Sequence, residues 1–125
     1  MTVAPRILVV DDNPLNVELA IAVLAADGMD VEVAVDATEA AQRMAAFRPD
    51  LVLMDIQLPG VDGLTLTRQI KADPAHRHVI VLAFTAYAMK GDEARMLQAG
   101  CDGYLSKPID VGRFAGQVRS WLPAP

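Results

Sequence analysis

The sequence predicts an α/β protein built on a doubly wound parallel sheet, and three observations lead there. Five short runs rich in Val, Ile and Leu recur along the chain, they alternate with segments of helix length and composition, and three of them are apolar nearly throughout. A strand covered by helices on both faces reads as a continuous apolar run, whereas a half-exposed strand alternates. Strands alternating with helices imply right-handed crossovers, and five such repeats make a (βα)5 sandwich of three layers.

The first run, Arg6 to Val10, ends at Asp11 and Asp12. Asn13 is placed as an N-cap and Pro14 suits a first helical turn, so a helix runs through Leu15 to Ala26 with Gly28 at its C-terminal cap. Leu15, Leu19, Ala22, Val23 and Ala26 make one apolar face of that helix, leaving Val17, Ile21 and Leu24 largely outside it. The second run is Val31 to Val35; Asp36 with Glu39 three residues on resembles a capping box for a helix through Phe47, with Pro49 beyond it.

The third run, Leu51 to Asp55, delivers a carboxylate and breaks at Pro59 and Gly60. Leu64, Thr67, Ile70 and Lys71 fit a third helix that Asp73 and Pro74 stop. The fourth run, Val79 to Phe84, is followed by Thr85 and Ala86, and a fourth helix from about Lys90 to Ala99 ends at Gly100. After the fifth run, Gly103 to Ser106, come Lys107 and Pro108. Asp110 then caps a fifth helix whose Val111, Phe114, Val118, Trp121 and Leu122 share a face, and residues 123–125 form a loose tail.

A chain of 125 residues, 53% hydrophobic and 22% charged, suits one globular domain spanning residues 1–125. A net charge of −5 argues against nucleic acid or anionic membrane as a partner through bulk electrostatics. The single cysteine, Cys101, excludes an internal disulfide, and there is no apolar run of signal-peptide or membrane-spanning length, so a cytoplasmic protein is expected. Neither GxGxxG nor GxxxxGK[ST] is present, which disfavours a nucleotide-binding module.

Ligands of such sheets bind outside the carboxyl ends of the strands. Asp11, Asp12, Asp55, Thr85 and Lys107 all stand there. Three carboxylates in one place repel and call for a cation. Oxygen ligands without His or Cys suit Mg2+, or Mn2+, with Asp12 and Asp55 as direct ligands, the Gln57 carbonyl joining them, and Asp11 direct or through water. His76 and His78 read as loop residues, Met44, Met54, Met89 and Met96 as packing, and Cys101 as an inert, partly buried thiol. A carboxylate beside such a cation can act as a nucleophile toward phosphorus, with the cation and Lys107 neutralising the transferred group and Thr85 hydrogen-bonding it.

The segments VVDD, DIQLPGVDG, FTAYA and YLSKP, in this order and spacing, resemble the receiver domain of two-component response regulators, the CheY-like family. The resemblance implies a flavodoxin-like sheet of order 2-1-3-4-5, Asp55 as phosphoacceptor, Asp11 and Asp12 as the acid pair for Mg2+, Thr85 as switch hydroxyl and Lys107 as the phosphoryl-binding lysine. It also implies a cis peptide before Pro108, Tyr104 as switch aromatic, an output face on the fourth helix, fifth strand and fifth helix, and a tuning of hydrolytic water by Gln57 and Tyr87. The implied partners are a histidine kinase or histidine phosphotransfer protein as donor and a downstream effector protein, with no turnover of a separate substrate. The apolar outer surface of the first helix, tested by Ile21→Glu, is expected to dock the donor. Two alternatives stand beside this: a receiver used only as an interaction module, and an aspartyl-phosphate hydrolase of haloacid dehalogenase type. The latter resembles DxD on its first strand, where this chain has adjacent Asp11 and Asp12 followed by Asn13.

Overall fold

The computed structural model describes residues 4–58, 60, 62–86 and 90–123, the side chains of 90–92 excepted. Pro59, Tyr87 and Met89, and the last two residues of the tail, lie outside the described residues. The elements are β1 (Arg6–Val10), α1 (Pro14–Ala26), β2 (Asp30–Ala34), α2 (Ala37–Phe47), β3 (Leu51–Asp55), α3 (Gly63–Ala72), β4 (Ile80–Thr85), α4 (Lys90–Ala99), β5 (Gly103–Ser106) and α5 (Phe114–Trp121). All strand pairs are parallel, in the order β2-β1-β3-β4-β5.

The two-residue period of a strand sorts its side chains between two apolar layers. Leu8 and Val10 of β1, Val52 and Met54 of β3, and Val81 and Ala83 of β4 face a layer completed by Met44, Ile70 and Met96 from α2, α3 and α4. Ile7, Val9, Leu51, Leu53, Leu82 and Phe84 face the opposite layer, completed by Ala20 and Leu24 of α1 and Phe114 and Val118 of α5. Both faces of the central strands are therefore covered, which is why their sequences are apolar without interruption.

Local chemistry sets the helix starts. Asn13 Oδ1 accepts from the Leu15 and Asn16 amides at 3.0 and 3.3 Å, and Pro14 occupies the first turn. Asp36 Oδ1 accepts from Glu39 N at 2.8 Å, while Glu39 Oε1 accepts from Val35 N at 3.1 Å, a reciprocal cap reaching one residue further back than expected. β2 is Asp30–Ala34, paired with Arg6–Val10, and not Val31 to Val35.

Two expectations need correction. On α1, Ala20 and Leu24 are the buried residues, whereas Leu15 is 71% exposed and Ala22 and Ala26 are exposed. Ile21 is half-buried. Leu19 and Val23 of the expected face do pack against the core, so the inner stripe runs through Leu19, Ala20, Val23 and Leu24. A helix apolar on all sides does not choose its own face; its docking against the sheet and α5 does. Asp110 does not cap α5 either. Its Oδ1 accepts from Gly112 N at 3.0 Å and its carbonyl from the Arg113 and Phe114 amides, closing a turn before the helix begins at Phe114. Val111 is consequently exposed, and Trp121 is half-exposed, its ring laid over Gly103 where a Cβ would come within 2.4 Å of it.

Candidate functional site

The register of the sheet brings the acids to one level. Val10 pairs with Met54 and Asp55 with Phe84, so Asp11, one step beyond Val10, stands beside Asp55 at the carboxyl edge. One carboxylate oxygen each from Asp11, Asp12 and Asp55 can be chosen so that all lie within 4.8 Å of one another. Asp11 is fully buried, Asp55 nearly so, and Asp12 exposed.

Asp11 Oδ1 accepts from Asn13 N at 2.9 Å, and Asp55 Oδ1 accepts from Gln57 N at 2.9 Å. Their other oxygens meet Lys107, whose Nζ lies 2.9 Å from Asp11 Oδ2 and 3.5 Å from Asp55 Oδ2. Although the 2.9 Å contact is an ion pair, Asp11 Oδ2 makes no hydrogen bond of normal geometry. The Lys107 amide donates to the Thr85 carbonyl at 2.8 Å, and the Lys107–Pro108 peptide is cis. Thr85 closes β4 and is buried.

Burial pushes the Asp55 carboxyl above its ordinary range; the Gln57 amide and the Lys107 ammonium pull it down, and Asp11 adds to the upward push. One ammonium set against three carboxylates leaves the rim negative, with a buried Asp11 oxygen lacking a well-formed partner. An all-oxygen donor set of this kind fits a hard divalent cation.

Sequence reasoning missed Gly63, the first residue of α3. A Cβ there would fall 2.1 Å from the Asp55 carbonyl oxygen, so only glycine lets α3 start against the back of the acid-bearing turn. The Asp62–Gly63 pair was the available signal. Tyr104 is not part of the cluster: its side chain is exposed on β5. His76 and His78 line a cleft of about 500 Å³ with Arg48, Asp50 and Val79, formed by the segments that precede β3 and β4 and so remote from the acids.

The chain matches the response regulator receiver domain over residues 7–119. It belongs to that family. The polar-differentiation response regulator DivK of Brucella anthropi is 46% identical over 116 residues, covering 93% of this chain and 94% of that one. Among solved structures, the receiver domain of a sensor histidine kinase from Pseudomonas aeruginosa PAO1, with a magnesium ion coordinated in its active-site cleft, superposes with a TM-score of 0.85 at 36% identity, covering 95% and 98% of the two chains. A chemotaxis response regulator of Vibrio cholerae, at 20% identity, TM-score 0.89 and 94% and 98% coverage, shares the fold. This receiver is thus a phosphoacceptor module of two-component signalling, a signalling domain and not a substrate-turnover enzyme. Receiver domains bind Mg2+ at an acidic pocket and work with histidine kinases or phosphotransfer proteins and with effectors. Among the described residues no helix is long and apolar enough to cross a membrane.

Proposed function

We propose that Asp55 accepts the phosphoryl group from a phosphohistidine donor, a histidine kinase or a histidine phosphotransfer protein. The observation that carries this reading is the pairing of Lys107 with both Asp11 and Asp55 inside a cluster of three carboxylates. A carboxylate oxygen of Asp55 attacks phosphorus as the bond to the donor imidazole nitrogen breaks, and the bonding pair leaves with the imidazole. Gln57 N orients Asp55 through Oδ1, and Lys107 neutralises charge on the transferred group. Asp11, Asp12, Asp55 and the Gln57 carbonyl would hold Mg2+, or Mn2+. When bound, the cation supplies positive charge facing the phosphoryl oxygens.

Thr85 hydrogen-bonds the phosphoryl group, and Tyr104, exposed on β5, answers by moving inward, which biases α4, β5 and α5 toward one of two states for an effector protein. Residues 1–125 act as one cytoplasmic receiver. Donor docking falls on the outward side of α1, where Leu15 is 71% exposed two residues after Asn13; Leu15 replaces Ile21 as the position to test.

The test is treatment of wild type and Asp55→Asn with a small acyl-phosphate donor, with and without Mg2+, followed by intact mass. The reading expects a Mg2+-dependent gain of about 80 Da that the substitution abolishes. No gain in folded wild type overturns it and favours an interaction module independent of phosphorylation.

A further inference from the structure

Lys107 has a third neighbour at the rim, and it carries no charge. Nζ stands 4.9 Å from the centroid of the Phe84 ring, in addition to its contacts with Asp11 and Asp55. Phe84 precedes Thr85 on β4 and is fully buried in the layer under α1 and α5. Its ring packs on Phe114 of α5, with centroids 5.7 Å apart and planes tilted by 34°. The ring therefore cannot swing away without disturbing α5, and it presents a fixed surface to the ammonium.

An aromatic face attracts an ammonium through its quadrupole, an attraction that strengthens as water is excluded. It takes none of the three N–H donors, which stay free for oxygen acceptors. A carboxylate in the same place would hold the charge as well but would compete with the phosphoryl group. A leucine would fill the space and hold nothing. The Lys107 side chain is 14% exposed, so little water competes with the ring.

We propose that Phe84 is a positioning residue for phosphoryl transfer, its ring face holding the Lys107 ammonium beside Asp55 while leaving the N–H donors for the incoming phosphoryl oxygens. This rests on the reading of Asp55 as the acceptor. The ring acts through Lys107 and touches no reacting atom.

The test places phenylalanines carrying one, two and three fluorines at position 84. Fluorine drains the ring face while scarcely changing its volume, so packing stays nearly constant as the attraction falls. The rate of Asp55 phosphorylation by a small acyl-phosphate donor with Mg2+ should fall stepwise along the series, by about threefold to tenfold at its end, and Phe84→Leu should do the same. The ε-methylene protons of Lys107 should be shifted upfield by the ring in wild type, and that shift should vanish in Phe84→Leu. A rate that stays level across the series, in a protein whose wild type is phosphorylated, overturns the proposal, as does an unshifted Lys107. Wild type that takes no phosphoryl group overturns the acceptor reading and the ring's part in transfer with it, an outcome distinct from a reactive wild type with a level series.

Discussion

The Lys107 ammonium sits 2.9 Å from the Asp11 carboxylate, where Asp11 is fully buried and Lys107 is partly buried. Two residues 96 apart in sequence are thereby locked together at the ends of β1 and β5, which are not neighbours in the sheet. Removing one member of a buried pair strands the other charge. Lys107→Met is expected to lower the unfolding free energy of metal-free protein by about 3 kcal/mol. Denaturant titration in a chelator checks this, and added Mg2+ should restore part of the loss by screening the acids.

Asp55 gives a pH signature of known sign. Burial, the largest influence, raises its pKa in the folded state, so the fold prefers the protonated carboxyl. Ionisation of Asp55 therefore costs stability above the folded pKa, and the cost is absent below the unfolded value. In metal-free buffer Asp55→Asn should melt a few degrees above wild type at neutral pH. The gain should shrink toward zero as pH falls through the carboxylate range, and also on adding Mg2+. Thermal melts across pH, with and without the cation, decide the matter; an unchanged or lower melting temperature for the variant at neutral pH contradicts it.

Gly63 gives a test of how the turn carrying Asp55 is supported. With a Cβ 2.1 Å from the Asp55 carbonyl and 2.8 Å from Ile56 Cα, both backbone atoms, Gly63→Ala must move either α3 or the turn carrying Asp55. A loss of about 2–4 kcal/mol is expected, in the range of overpacking with backbone displacement. Phosphorylation should slow even where the variant is folded. Stability and acyl-phosphate reactivity measured on the same preparation separate the two effects.

The corrected face of α1 makes opposite predictions for two leucines on one helix. Leu24→Ala empties a fully buried position and should cost about 3 kcal/mol. Leu15→Glu alters a side chain 71% exposed and should change stability by less than about 0.5 kcal/mol. If Leu15 meets the donor, the same substitution slows phosphotransfer from a phosphohistidine protein while leaving reaction with the small donor unchanged.

Much of this protein could be read from residues alone, for identifiable reasons. The uninterrupted apolar runs of β1, β3 and β4 mark strands buried on both faces, and the acids and the lysine directly after such runs must lie at one edge once the strands are parallel. Asn13, Asp36 and Gly28 announce helix ends because capping uses groups within a few residues of each other. These are local or periodic signals, and the chain carries them without reference to its partners in space.

What the tertiary structure decided is of another kind. The inner face of α1 was only half legible in a helix apolar all round: Leu19 and Val23 were expected there, and docking on the sheet and α5 added Ala20 and Leu24 in place of Leu15, Ala22 and Ala26. The start of α5 at Phe114 depends on a turn that Asp110 closes, and the half-exposed Trp121 on its fit over Gly103. The approach of Gly63 to Asp55, the join of Lys107 to Asp11 and Asp55, and the placing of its ammonium over Phe84 all depend on ångström-scale distances between elements. By itself the sequence determined the strands and the residues at their ends; register, docking angle and close packing, which arise only when distant segments meet, decided which of those residues touch.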